Sequence, residues 1–220
     1  MGLGQVAVKT CPEGNGKQFS LNAAMRIGNS WASNDVDRYR RHRPETAMTI
    51  IPTLETERLI LRPHRLEDFD DYAAIWADPD VVRFITGSPI SRENSWSRML
   101  RVAGLWHLMG FGFLAIEEKG TGRLLGEAGF QDMRREFQPS IEGTLETGWA
   151  LVPSVHGRGY ATEAVTAMIS WGKAHFPDHR MTCIISPENA ASLRVAAKLG
   201  FREFARADYH GPILVLAREN

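Results

Sequence analysis

The stretch Val152 to Val165, VPSVHGRGYATEAV, constrains this chain more than any other. It follows an apolar run, sets Gly157 and Gly159 around Arg158, and then takes on helical spacing. A short link between a strand and a helix does not need two glycines and an arginine. A link that holds phosphate does. The first N–H groups of a helix lack partners, and the helix dipole adds about half a positive charge there. Gly157 and Gly159 let the backbone curl so that several N–H groups converge, and side chains there would obstruct a phosphate. Arg158 adds a charge able to reach a second phosphate. The plain alternative is a tight turn whose glycines serve geometry alone.

Two rival phosphate motifs fail. A Walker loop needs GxxxxGK[ST], which is missing here. A dinucleotide fingerprint needs a third glycine where this chain has Thr162. Asp178 does lie about 20 residues on, but it sits in the turn before the next strand rather than at a strand's C-terminal end.

Composition narrows the class. The 220 residues suffice for one domain with a substantial core, burying roughly 70% of the unfolded surface. Lys+Arg and Asp+Glu both number 26, so no basic excess favours a nucleic-acid partner. The two cysteines, Cys11 and Cys183, form no CxxC and no disulfide framework. No apolar run approaches the ~20 residues of a membrane span, and no signal peptide is read at the start. A cytoplasmic protein, without nucleic acid or membrane partners, is the expectation. Residues 1–47, rich in Gly, Asn, Ser and Arg without sustained period, read as a disordered or non-native extension, with the domain at 48–220.

From Glu55 the pattern is regular. ERLILRP reads as a strand ended by Pro63. A helix follows with Phe69, Tyr72, Ala73 and Trp76 in phase, closed by Asp78-Pro79. Ser91 suits the N-cap of a second helix, whose inward stripe would be Trp96, Met99, Leu100 and Ala103. Three strand-like runs follow, FGFLAIEE, RLLGEAGFQD and TLETGWALVP. The helix after the glycine loop carries Ala161, Val165, Met168, Ile169 and Gly172 on one side. MTCIIS reads as a strand. NAASLRVAAKLG reads as a last helix, with Leu193, Ala196, Ala197 and Gly200 in phase, and FREFAR and PILVLARE finish as strands. The order is β-α-α-β-β-β-α-β-α-β-β, with no internal repeat.

With these segments in place, the chain from about Leu54 onward resembles the GNAT N-acetyltransferase superfamily, RimJ/RimL-like branch. Its acyl-CoA loop, Gln/Arg-x-x-Gly-x-Gly/Ala, corresponds to His156-Gly157-Arg158-Gly159-Tyr160-Ala161, with His at the first place. LETGWALVP, NAASLRVAAKLGF, RLILRP and GFLAIEEKGTGRLLGEAGF match in order, over about three quarters of the chain. One such motif is weak; four in the right order are specific. The resemblance implies an α/β (α+β) fold: a mixed, mostly antiparallel twisted sheet with helices on both faces, and one crossover helix between the strands flanking the cofactor. It implies that acetyl-CoA is the cosubstrate, with pyrophosphate on the backbone N–H groups of Gly157, Arg158, Gly159, Tyr160, Ala161 and Thr162; the His156 side chain is a further phosphate contact or else a solvated loop histidine. Leu151 and Val152 would run beside the pantetheine arm, and Asn189 would bind that arm or the acyl region.

Acetyl transfer from a thioester to an amine requires a deprotonated amine, a polarised carbonyl and a departing thiolate. Presenting a neutral amine at pH 7 costs about 1.4 kcal/mol for an α-amine and ~4.6 for a lysine. Glu146 is the candidate base. Along a strand it shares a face with Gly148, Ala150 and Val152, and the small residues leave room for substrate. It would need a raised pKa or an intervening water; the alternative is a strand-face ion pair. Asn189 and Ser192 stand three apart at a helix start, where capping is the commoner use. The family's tyrosine acid, seven places after Asn189, is Ala196 here, so Ser192 is the substitute candidate, or no acid is used. Tyr209 is a more distant candidate. Pro177 between His175 and His179 argues against a metal pair, and Cys183 reads as a buried thiol.

The expected function is acetyl-CoA-dependent N-acetylation of a primary amine, a protein N-terminus first and a small-molecule amine next, by a monomer or homodimer. The other class is a non-catalytic acyl-CoA-binding or regulatory module.

Overall fold

The computed structural model describes residues 50–219; the expected extension 1–47 and Cys11 lie outside them. The chain runs β1 (Leu54–Glu55), β2 (Leu59–Arg62), a 3-10 turn (Leu66–Asp68), α1 (Phe69–Ala77), α2 (Pro79–Val82) and α3 (Arg92–Met109). β3 (Phe113–Glu118), β4 (Leu124–Gln131), β5 (Leu145–Leu151) and α4 (Tyr160–His175) follow. It ends with β6 (Met181–Ile185), α5 (Ala190–Lys198), β7 (Arg202–Asp208) and β8 (Pro212–Arg218).

The strands form one sheet in the order β1-β2-β3-β4-β5-β6-β8-β7. Every neighbouring pair is antiparallel except β5 and β6. Those two are parallel because α4 carries the chain from the end of β5 back to the start of β6, the crossover a parallel pair requires. This is the mixed, mostly antiparallel α/β fold the sequence implies.

Successive side chains on a strand face opposite sides, and the two cores follow that rule except where the β3–β4 register skips Leu125. Leu114, Ile116, Leu125, Phe130, Leu145 and Leu151 join Val165, Met168 and Ile169 of α4. Ala115, Leu124 and Ala150, on the other face, join Tyr72, Trp76 and Val82 of α1 and α2 and Met99 of α3. In α4 the expected Val165, Met168, Ile169 and Gly172 are buried, while Ala161 is half-buried.

Three local expectations change. Asp78-Pro79 ends α1 but also starts α2: proline suits a first helical position, and Asp78 Oδ1 accepts from the Asp80 N–H at 2.9 Å. The inward stripe of α3 is rotated. Trp96 and Leu100 are 37% and 52% exposed, while Ser95, Met99, Val102, Leu105 and Trp106 lie inside. Two polar contacts account for it: Arg98 turns toward buried Glu127, and Trp106 Nε1 donates to the Phe113 carbonyl at 2.8 Å. In α5, Ala196 is buried but Ala197 is exposed. Ser91 is the N-cap of α3 as expected, accepting from the Asn94 N–H at 3.2 Å.

Candidate functional site

β5 and β6 pair at only two positions, Leu145↔Met181 and Glu146↔Thr182. β5 continues to Leu151 and β6 to Ile185, so the strands part beyond the pair and leave sheet edge open between them. Two clefts fill that opening. The larger, about 760 Å³, lies among the 83–87 loop, Glu146, Gly148, Cys183 and the β7–β8 turn at Tyr209–Gly211. The smaller, about 470 Å³, lies among Leu151, the glycine loop and α5. Arg83, Phe84, Ile85, Trp149, Ala150, Asn189 and Ser192 line both, so the clefts meet there.

The glycine loop forms the outer end of the smaller cleft. Gly157 and Gly159 have φ of 73° and 84°, in the left-handed region that side chains disfavour. A Cβ at Gly157 would meet no atom of the described residues within 4 Å, so its conformation rather than crowding calls for glycine. Between Gly157 and Glu163, the Arg158 and Glu163 amides bond to the carbonyls of Val155 and Gly159. Among the described residues, the amides of Gly157, Gly159, Tyr160, Ala161 and Thr162 have no backbone acceptor. This cluster of donors at a helix start fits a phosphate. His156 does not turn to the cleft with its ring nitrogen; Nε2–H donates to the Leu151 carbonyl at 2.8 Å and ties the loop to β5. Leu151, His156, Gly157, Gly159, Tyr160, Ala161 and Thr162 line the smaller cleft. Val152 and Arg158 do not; the Val152 N–H donates to Leu125, and Arg158 lies 5.1 Å from the Tyr160 ring. The Tyr160 hydroxyl donates to Glu118 at 2.8 Å.

Glu146 reaches the larger cleft from the last paired position of β5 and is 4% exposed. Its carboxylate is in an ion pair. Arg135 donates through Nε to Oε2 and through Nη2 to Oε1, both at 2.7 Å. Gln131, directly opposite on β4, donates to Oε1 at 2.9 Å. A carboxylate oxygen accepts about two hydrogen bonds; Oε1 therefore has its two, and Oε2 has one position open. Gly148 keeps the floor beside Glu146 low, since a Cβ there would come within 2.9 Å of the Phe113 ring.

A second buried carboxylate, Glu127, lies two rows along, opposite Ala150. Oε1 accepts from Arg98 Nη2 at 3.0 Å, Oε2 accepts from the Tyr72 hydroxyl at 3.2 Å, and His64 Nε2 stands 3.3 Å away. Burial works to raise its pKa, but the Arg98 charge and the His64 contact prevail and hold it at about 2. Burial pushes the Tyr72 hydroxyl and the Cys183 thiol up, so neither ionises near neutrality.

Asn189 is the N-cap of α5, its Oδ1 accepting from the Ser192 N–H at 3.0 Å. Both residues line the junction of the clefts. Tyr209 lines only the larger cleft, its ring 5.1 Å from the Arg135 guanidinium, on the side away from the glycine loop. Among the described residues no group of three or more His, Cys, Asp or Glu is placed to hold a metal, and no helix is long and apolar enough to cross a membrane.

Gln131, Arg135, Glu127 and Arg98 were not found from the sequence. One signal was there: Glu127 and Gln131 are polar at strand positions of the same parity in an otherwise apolar run, on the same face as Glu146. Arg135 carries no such signal, because it follows β4 in a segment without regular period.

A family model described as an acetyltransferase (GNAT) domain matches residues 58–202. The relative named "Uncharacterized N-acetyltransferase p20", from Bacillus licheniformis, is 30% identical over 152 residues, 69% of this chain and 83% of its own length. A structure from Bordetella pertussis described as a GnaT-family acetyltransferase is 31% identical. It covers 76% of this chain and 99% of its own, with a TM-score of 0.69. RimL, the ribosomal L7/L12 α-N-protein acetyltransferase in complex with coenzyme A, has a TM-score of 0.63 at 15% identity, over 76% of this chain and 97% of its own. At that identity the likeness is one of fold.

Proposed function

The chain belongs to the GNAT acetyltransferase family, and from that premise we propose that it carries the acetyl group of acetyl-CoA to the α-amino group of a protein N-terminus. Acetyl-CoA supplies the thioester. The unpaired amides of Gly157, Gly159, Tyr160, Ala161 and Thr162 take the pyrophosphate. The end of β5 at Leu151 runs beside the pantetheine arm, with Val152 next to it turned to Leu125 and with His156 and Arg158 framing the loop. Asn189 and Ser192 stand where the clefts meet, so the thioester carbon is assigned there and the amine is assigned to the larger cleft.

Within that arrangement Glu146 acts from inside its ion pair. Arg135 and Gln131 fix the carboxylate and leave one position on Oε2 open. That position accepts the amine proton, directly or through a water, as the nitrogen attacks. Ser192 is the proton donor to the leaving thiolate; a thiol with a pKa near ~8.5 leaves with little help, so its contribution is small.

The observation that carries the α-amine reading is the pairing of both buried carboxylates of the larger cleft, Glu146 with Arg135 and Glu127 with Arg98. A polyamine is held by carboxylates free to meet its charges, and here the interior ones are already neutralised. An α-amine, ~3 kcal/mol easier to present neutral at pH 7 than a lysine, suits a carboxylate so engaged. The proteins whose folds this chain shares include α-N-protein acetyltransferases. The test is mass spectrometry of a peptide with one free α-amine and one lysine, incubated with acetyl-CoA beside spermidine and free amino acids. Acetyl on the α-amine is expected. Acetylation of only a small-molecule amine would replace the acceptor, and CoA binding without transfer to any amine would replace the enzyme with a binding module.

A further inference from the structure

We infer that Arg58 is a positioning residue for the phosphate loop, aiming the Gly159 N–H at the ligand by holding the Arg158 carbonyl from behind. The inference rests on the reading of that loop as the acetyl-CoA pyrophosphate site. Arg58 stands just before β2, about 100 residues from the loop, yet its guanidinium is committed to it. Nη1 donates to the Arg158 carbonyl at 3.0 Å. Nε donates to Glu163 Oε2 at 2.7 Å, and Nη2 stands 2.6 Å from the same oxygen. The guanidinium lies 4.2 Å from the centre of the Tyr160 ring, and Nη2 would be 3.4 Å from a Cβ at Gly159.

The consequence follows from peptide geometry. In a trans peptide the C=O and the following N–H point in opposite directions. The Arg158–Gly159 peptide is trans, since the one cis bond among the described residues is Gln138-Pro139. Holding the Arg158 carbonyl therefore fixes the Gly159 N–H toward the opposite side, among the unpaired amides. Without that grip the peptide leading into left-handed Gly159 rotates more easily, and the donor must be ordered on binding.

Glu163 supplies the second part. A carboxylate in the first turn of α4 competes with a bound anion for the same positive helix end. Its Oε1 accepts from the Thr56 hydroxyl at 2.6 Å and the Arg58 N–H at 2.8 Å, while its Oε2 is paired with the Arg58 side chain. Arg58 thus neutralises the carboxylate and orients the amide.

The test compares CoA with pantetheine, which keeps the arm and thiol but lacks the pyrophosphate and nucleotide. Dissociation constants are measured by calorimetry for the full chain, Arg58→Met and Arg58→Lys. The wild type is expected to bind CoA far more tightly than pantetheine. Arg58→Met weakens CoA by about tenfold, the equivalent of one well-made hydrogen bond, and leaves pantetheine within about twofold. Arg58→Lys, which keeps a charge beside Glu163 but loses the fork, falls between them. A wild type with no preference for CoA would overturn the loop reading itself. A preference that Arg58→Met retains in full would overturn the role of Arg58. Equal losses for both ligands would also overturn it, because they would mark general damage to the fold; unfolded Arg58→Met leaves the decision to Arg58→Lys on the same criteria.

Discussion

Arg135 grips Glu146 through two nitrogens, each 2.7 Å from a different carboxylate oxygen, at the point where β5 and β6 cease to pair. The pair joins the segment after β4 to the open sheet edge. It sets what the carboxylate can still accept: one oxygen is saturated by Arg135 and Gln131, and the other has one position open.

Replacing Arg135 with methionine leaves the buried Glu146 charge without its partner. Breaking a buried pair from one side costs about 3–5 kcal/mol. The expected outcome is a large drop in the denaturation midpoint together with loss of turnover. Arg135→Lys, a point charge without the fork, retains part of both. Denaturant titration and initial rates on the same preparations check it; an Arg135→Met protein of wild-type stability would contradict the pairing.

Glu127 makes stability depend on acid pH. Its folded pKa of about 2 lies below the ordinary 4.5, so its contribution is full above the ordinary value and is lost as pH falls from about 4.5 toward 2. Glu127→Gln is expected to be less stable at neutral pH, with Arg98 and His64 deprived of their partner, and to have a shallower decline in acid. Chemical denaturation between pH 7 and pH 3 measures both slopes; identical slopes would remove Glu127 from the acid response.

Gly159→Ala forces a side chain into φ 84°, which costs roughly 1–2 kcal/mol, and places a methyl 3.4 Å from Arg58 Nη2, against the group that holds the loop. The apparent KM for acetyl-CoA is expected to rise by roughly tenfold or more, with a smaller effect on the KM of the amine. Equal effects on both substrates would count against a phosphate loop.

Asn189 and Ser192 are separable. Asn189→Ala removes the cap of α5, worth about 1 kcal/mol, and lowers Tm by roughly 2–4 °C for a chain of this size. Ser192→Ala leaves the cap intact, because Asn189 bonds to the Ser192 backbone. It is expected to change kcat by less than about tenfold, since the thiolate is already a competent leaving group. Thermal melts and initial rates distinguish the two; a collapse of kcat in Ser192→Ala would make proton donation essential.

What the sequence made legible was local. The end of the strand, the two glycines and the helix start lie in one short stretch, Leu151 to Val165, and their chemistry follows from short-range backbone physics. The face shared by Glu146, Gly148 and Ala150 follows from strand alternation. The partners do not. Arg135 lies 11 residues from Glu146 in an irregular segment, and Arg98 meets Glu127 across 29 residues. Such pairings are set by how a helix crosses the sheet, and the same crossing turned Trp96 and Leu100 outward against their apolar character. Arg58 belongs to this class too, since nothing near it in the chain points to a loop 100 residues away.

The most direct test of the account is thiol release from acetyl-CoA with a free α-amine peptide, measured for wild type and Glu146→Gln between about pH 6 and pH 9. The account predicts that kcat falls by roughly a hundredfold, as loss of a general base does, with the acetyl-CoA KM within about twofold. Turnover unchanged across that range would remove Glu146 from the reaction and leave the Arg135 pair a structural bond.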